Sequence, residues 1–107
     1  MFDLEEARRL CGTEFEIITR HCQIRLEKRG ILIAEMEYAI RNGEVIEDYP
    51  NDYPFPSCLV FSVLQNHTPL HVVCSMGDGY LYLITAYRPT LDKFESDYKT
   101  RRKEETE

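Results

Sequence analysis

Tryptophan is missing from these 107 residues, and no Cys-x-x-Cys pair occurs among the four cysteines. The second absence removes the usual zinc ribbons and thioredoxin-type redox motifs. No apolar run approaches the ~20 residues of a membrane span. The longest stretch free of Asp, Glu, Lys and Arg, Tyr53 to Gly77, is broken by Pro54, Pro56, Asn66, His67, Thr68 and Pro69. The first residues, Met1-Phe2-Asp3-Leu4-Glu5-Glu6, are acidic and carry no signal-peptide pattern, so a cytoplasmic location with free, buried thiols is expected. Cys11, Cys22, Cys58 and Cys74 offer no metal-ligand spacing either. His71 and Cys74, three apart on a strand, point to opposite faces, and His21 and Cys22 diverge on a helix. Neither a metal nor a cofactor is expected. Glycine and proline number only five each, which makes their positions informative.

What is present is a foldable chain with uneven charge. Hydrophobic residues make up 43%, enough for one domain over 1–107 with a core from about 14 to 100 and a frayed tail over 103–107. Net charge is −6, which argues against a generic nucleic-acid binder. Residues 17–43 nevertheless hold five cations against three carboxylates, and residues 44–57 hold four carboxylates and no cation. A second basic run, Lys99, Arg101, Arg102 and Lys103, precedes a Glu-rich end.

Asp3 can cap a first helix through Leu10, with Gly12 as its stop. Phe15 to Ile18 reads as a short strand or a lead-in. Thr19 caps a helix that ends at Gly30, with Cys22 and Leu26 on its apolar side. Another helix runs from about Ile33 to Arg41 and stops at Asn42-Gly43. Its start lacks a small capping residue, since Leu32-Ile33 stands there. Glu44–Glu47, Cys58–Leu64, Leu70–Met76 and Tyr80–Tyr87 read as strands joined by turns, among them Gly77-Asp78-Gly79. Residues 90–99 read as a turn or short helix. The order predicts an α+β fold: two or three helices packed on an antiparallel sheet of three to four strands.

On the Thr19 helix, His21, Arg25 and Arg29 fall four apart and form one polar stripe, with Lys28 beside it. A group titrating near neutrality next to two guanidiniums suits chemistry on a phosphodiester. The plain alternative is a solvated helix face. Ribonucleases that need no metal require a base at the ribose 2′-hydroxyl, cations at the phosphorane and an acid for the leaving oxygen. His21 or His71 can serve as base or acid, and Arg25 and Arg29 as the clamp. Tyr87, Lys99 and Arg101 add donors if the chain brings them together. A strand histidine such as His71 is as readily a satisfied core residue. Tyr49 to Ser57, rich in proline and aromatics, reads as a rigid loop that either covers the sheet edge or displays its rings to a partner. Its carboxylates would repel phosphate and suit a basic partner.

Several motifs in order resemble the domain-of-unknown-function 4258 family. They are Thr-Arg-His-x-x-x-Arg-x-x-x-Arg-Gly-Ile (19–31), Asn-Gly-Glu-Val-Ile-Glu-Asp-Tyr-Pro (42–50), Pro-Phe-Pro-Ser-Cys-Leu (54–59), Pro-Leu-His-Val-Val (69–73), Ile-Thr-Ala-Tyr-Arg-Pro (84–89) and Asp-Tyr-Lys-Thr-Arg-Arg (97–102). The resemblance covers roughly residues 17–103. It implies small bacterial proteins related to RelE/MqsR-type toxins, and hence a RelE-like fold and a metal-independent endoribonuclease. It also implies an RNA substrate and a small zinc-finger antitoxin as partner. The motif-matched site candidates are His21, Arg25, Arg29, His71, Tyr87, Lys99 and Arg101. Such toxins are usually basic, and this chain is acidic. The competing expectations are a non-catalytic module that docks a basic partner on the acidic Pro/aromatic loop, and a small-anion binding domain.

Overall fold

The structure, a computed structural model, describes residues 1–103. The expectation of a frayed tail falls almost wholly on residues outside that range. Three helices, α1 (Leu4–Leu10), α2 (Arg20–Arg29) and α3 (Ile33–Asn42), accompany five strands. These are β1 (Glu16–Ile18), β2 (Glu44–Tyr49), β3 (Ser57–Val63), β4 (Pro69–Gly77) and β5 (Tyr80–Tyr87). The architecture is α+β, and the sheet order is β1-β5-β4-β3-β2.

The helix ends follow local chemistry. Asp3 accepts from the Glu6 amide at the start of α1, and Thr19 Oγ1 accepts from the Cys22 amide at the start of α2. Gly30 adopts φ +65°, and the Ile31 amide turns back to the Leu26 carbonyl, closing α2. Leu32, at the start of α3, has no acceptor to offer. Only the return half of a capping box forms, with Glu35 Oε1 accepting from the Leu32 amide at 2.9 Å.

The meander is antiparallel as expected, with β3 paired to β4 and β4 to β5. Asp78 and Gly79 both take positive φ, the conformation a two-residue hairpin turn requires. Two features differ from the expected antiparallel sheet of three to four strands. The sheet has five strands, and it is mixed, because β1 runs parallel to β5 (Ile17 opposite Tyr82). Three residues are too few to show a period, and their partner lies more than sixty positions away, so neither the pairing nor its direction is written locally.

The helices cover one face. Cys22 and Leu26 of α2 and Met36, Ala39 and Ile40 of α3 are buried with Cys58, Val60, Val72, Cys74, Leu81, Leu83 and Ala86. Strand β3 is buried along both faces up to Ser62, so the opposite face must also be covered. Two segments do this. Phe55, from the β2–β3 loop, lies on Gly77 and stacks on Tyr82 at 5.7 Å, where a Cβ on residue 77 would fall 2.1 Å from the Phe55 ring. Residues 90–103 cross the other end of the sheet and bury Phe94. Residues 90–99 are turns rather than a helix, tied by a bridge between Phe94 and Arg101. No helix among the described residues is long and apolar enough to cross a membrane.

Candidate active site

Strand register sets four side chains in a row across the face away from the helices. Glu44 lies opposite Phe61, Phe61 opposite His71, and His71 opposite Tyr87. His71 occupies the centre and is fully buried. Its ring meets Phe61, Tyr87 and Phe94 edge to face, with centroids 5.9, 5.2 and 4.6 Å away.

Both imidazole nitrogens are engaged. Nε2 lies 2.6 Å from the Tyr98 carbonyl and Nδ1 lies 3.3 Å from the Tyr87 hydroxyl. A carbonyl only accepts, so Nε2 carries the proton and Nδ1 accepts from Tyr87. Burial pushes the His71 pKa below its usual value, partly opposed by the Tyr98 carbonyl, and the ring is neutral. Burial pushes the Tyr87 phenol up, so it stays protonated. Tyr87 itself is only half-buried and is the reachable member of the pair.

Arg29, at the C-terminal end of α2, reaches the outer edge of β5. Its Nη1 donates to the Ala86 carbonyl at 2.7 Å and to Thr85 Oγ1 at 3.2 Å. The β1 pairing stops at Leu83, which leaves this stretch of the β5 edge to a side chain. The guanidinium is thereby fixed beside the residue preceding Tyr87. Arg25 and His21 lie one and two turns back along α2, both exposed, so His21 is about 12 Å along the axis from Arg29. Arg25 has no ion pair within 4 Å among the described residues.

Lys99 and Arg101 are brought to the row and are paired there. Lys99 Nζ sits 3.3 Å from Glu44 and over the Phe61 ring at 5.6 Å. Arg101 grips Glu47 through two bonds, 2.7 and 3.1 Å, and its guanidinium lies over Phe94 at 5.0 Å. The Tyr49 hydroxyl also donates to Glu47. Burial would raise the Glu47 pKa, but the bonds from Arg101 and Tyr49 outweigh it and hold the carboxylate low. Burial and Glu47 together push the Tyr49 phenol up to about 12.

The structure therefore gathers His71, Tyr87, Lys99, Arg101 and the tip of Arg29 at one end of the sheet, and leaves His21 and Arg25 on the open helix face. Glu44, Glu47, Phe61, Phe94 and Tyr98 belong to the same cluster and were not among the sequence candidates. Glu44 and Glu47 carried a readable sign, four carboxylates unbalanced over residues 44–57, but not a readable partner. A separate cluster brings Cys11, Glu16 and Glu37 to within 4.8 Å of one another among the described residues. A hydrogen bond from Glu16, with burial, raises Glu37 to about 6, and burial raises Cys11 to about 12.

Fold and cluster together define a small α+β protein that keeps a neutral histidine–tyrosine pair under a folded-back C-terminal segment. The family model described as a domain of unknown function (DUF4258) matches residues 18–88, and the chain belongs to that family. The matched span contains His21, Arg25, Arg29, His71 and Tyr87 and ends before Phe94, Lys99 and Arg101. No curated protein and no solved structure matches the chain.

Proposed function

We propose that the protein is a metal-independent endoribonuclease of the RelE/MqsR toxin type, acting at the His71–Tyr87 pair. The observation that carries the reading is Arg29. Its bond to the Ala86 carbonyl links the exposed cationic stripe of α2 to the site of proton transfer. RNA phosphates lie along His21, Arg25 and Arg29, and the scissile phosphate meets Tyr87. With the Tyr98 carbonyl displaced and the ring proton on Nδ1, the 2′-hydroxyl gives its proton to His71 Nε2 as its oxygen bonds to phosphorus. The bond to the 5′-oxygen breaks, and that oxygen takes its proton from Tyr87. The Nδ1 proton of His71 then passes to Tyr87 through their hydrogen bond, which leaves a neutral ring protonated on Nε2 and a neutral phenol. The products are a 2′,3′-cyclic phosphate and a 5′-hydroxyl. The partner that goes with this reading is a small zinc-finger antitoxin.

The test is incubation of the full chain with RNA in the presence of a chelator, with end-group analysis. Cyclic-phosphate ends are expected, strongly reduced by Tyr87→Phe and Arg29→Ala, together with growth arrest on expression that the same changes relieve. Intact RNA and unaffected growth refute the reading.

One observation favours a second reading, a non-catalytic module for a basic partner. Glu44 and Glu47 already hold a lysine and an arginine, and Tyr53 in the adjoining loop is 95% exposed. Binding of a Lys/Arg-rich peptide that is lost in Tyr53→Ala and indifferent to Tyr87→Phe would select it.

A further inference from the structure

We infer that residues 90–103 form a strap that holds the His71–Tyr87 pair in an inactive state, and that RNA itself opens it. What the strap regulates rests on the ribonuclease reading; that it lifts does not.

The strap is folded on itself. Every backbone–backbone hydrogen bond of 90–103 among the described residues is internal, including Glu95 to Thr100 and Arg102 to Lys93. Asp97 accepts from the Lys99 and Thr100 amides and from the Thr100 hydroxyl, which closes the turn. A segment that makes its own ladder can leave the sheet as a unit. What ties it down is the Phe94 ring, the Tyr98 carbonyl on His71, and the Lys99–Glu44 and Arg101–Glu47 pairs, whose cations are 41% and 53% exposed. Tyr98 sits at φ +58°, a left-handed conformation unfavourable for a residue with a Cβ.

The strap blocks His71 sterically and electronically. Steric closure is complete burial of the ring. Electronically, the Tyr98 carbonyl fixes the proton on Nε2, so that nitrogen cannot accept one. Once the carbonyl leaves, the proton can move to Nδ1 and be donated to the Tyr87 oxygen, and Nε2 faces outward as a base. The opener follows from charge. Lys99 is paired with the exposed Glu44 and Arg101 with the partly buried Glu47, both cations are themselves solvent-accessible, and a polyphosphate chain arriving along α2 competes for both.

Diethyl pyrocarbonate labelling of the full chain, mapped by peptide mass, tests this without requiring catalysis. His21 and His67 are exposed and label quickly as internal references, while His71 labels slowly. Lys99→Ala, Arg101→Ala, raised salt and added single-stranded RNA should each raise the His71 rate by about 3- to 10-fold, the population change expected from loss of one or two ion pairs of this exposure. The four buried cysteines should remain protected from thiol reagents, which separates strap opening from unfolding. A His71 rate unchanged under all four perturbations, or rising only together with cysteine exposure, overturns the strap. If His71 opens and RNA stays intact even with the opened variants, the strap stands and the ribonuclease reading falls. If RNA is cleaved while His71 labelling never changes, the strap falls and ribonuclease activity stands without His71 as its base.

Discussion

Tyr87→Phe isolates one hydrogen bond whose loss can be followed in stability, protonation and tautomer. The substitution keeps the ring that packs on His71 and removes only the donor to Nδ1, 3.3 Å away. His71 has no exposed surface, so water does not replace that donor while the strap is closed. A buried acceptor left unpaired costs about 1–3 kcal/mol, and the long bond places the expectation at about 1–2 kcal/mol. For a chain of this size that is a fall in Tm of about 5–10 °C. The sign of the pH effect also follows. His71 is depressed from 6.5 in the folded protein, so its contribution is present above the unfolded pKa and is lost as pH falls through the folded pKa. The Tyr87 hydroxyl donates to the neutral ring and so favours the uncharged form; its removal should raise the folded pKa and make the acid-side loss of stability shallower. Urea titrations across the acid range measure both effects, and ring ¹⁵N shifts report whether the proton sits on Nε2. A variant as stable as the parent, with the same acid limb, would falsify the tautomer and the pairing on which the site is built.

Other outcomes follow from positions outside the row. Glu37, raised from 4.5 to about 6 by the Glu16 hydrogen bond and by burial, contributes stability that is present below pH 4.5 and is lost as pH rises through about 6. After screening of a partly exposed carboxylate this amounts to ~1 kcal/mol or less, so Glu37→Gln should flatten that slope in thermal melts and raise Tm at neutral pH. Leu32→Ser should stabilise α3 by about 0.5–1 kcal/mol, because it supplies the missing N-cap acceptor where the leucine is 65% exposed; a drop in denaturation midpoint would count against it.

Much of the fold was legible because it is written in local chemistry. Thr19, Gly30 and the Asp78-Gly79 turn mark element ends through hydrogen bonds and backbone angles that few residues satisfy, and Gly43 marks one because a Cβ there would fall 2.4 Å from the Phe61 carbonyl. The site was legible only in its ingredients. His71, Tyr87, Lys99 and Arg101 could be named, yet their convergence depends on the register of three strands and on a segment that folds back across them. Helical spacing grouped His21 with Arg25 and Arg29, although only the last of these reaches the row, because a stripe two turns long spans more than the site. The roles of Glu44 and Glu47 were hidden for a related reason. A carboxylate's partner is a matter of tertiary contact, and theirs lie more than fifty positions away.

The parallel pairing of β1 with β5 has a consequence for the order in which the molecule can assemble. The β3–β4–β5 meander closes through short turns and can form as soon as its own residues are available, whereas β1 must wait for a partner more than sixty positions later. Until then α2 has no β5 surface on which to bury Cys22 and Leu26. A topology with its first strand joined to its fifth has high contact order, so folding should be slow, and the growing polypeptide should expose its helical apolar stripe until β5 has been made.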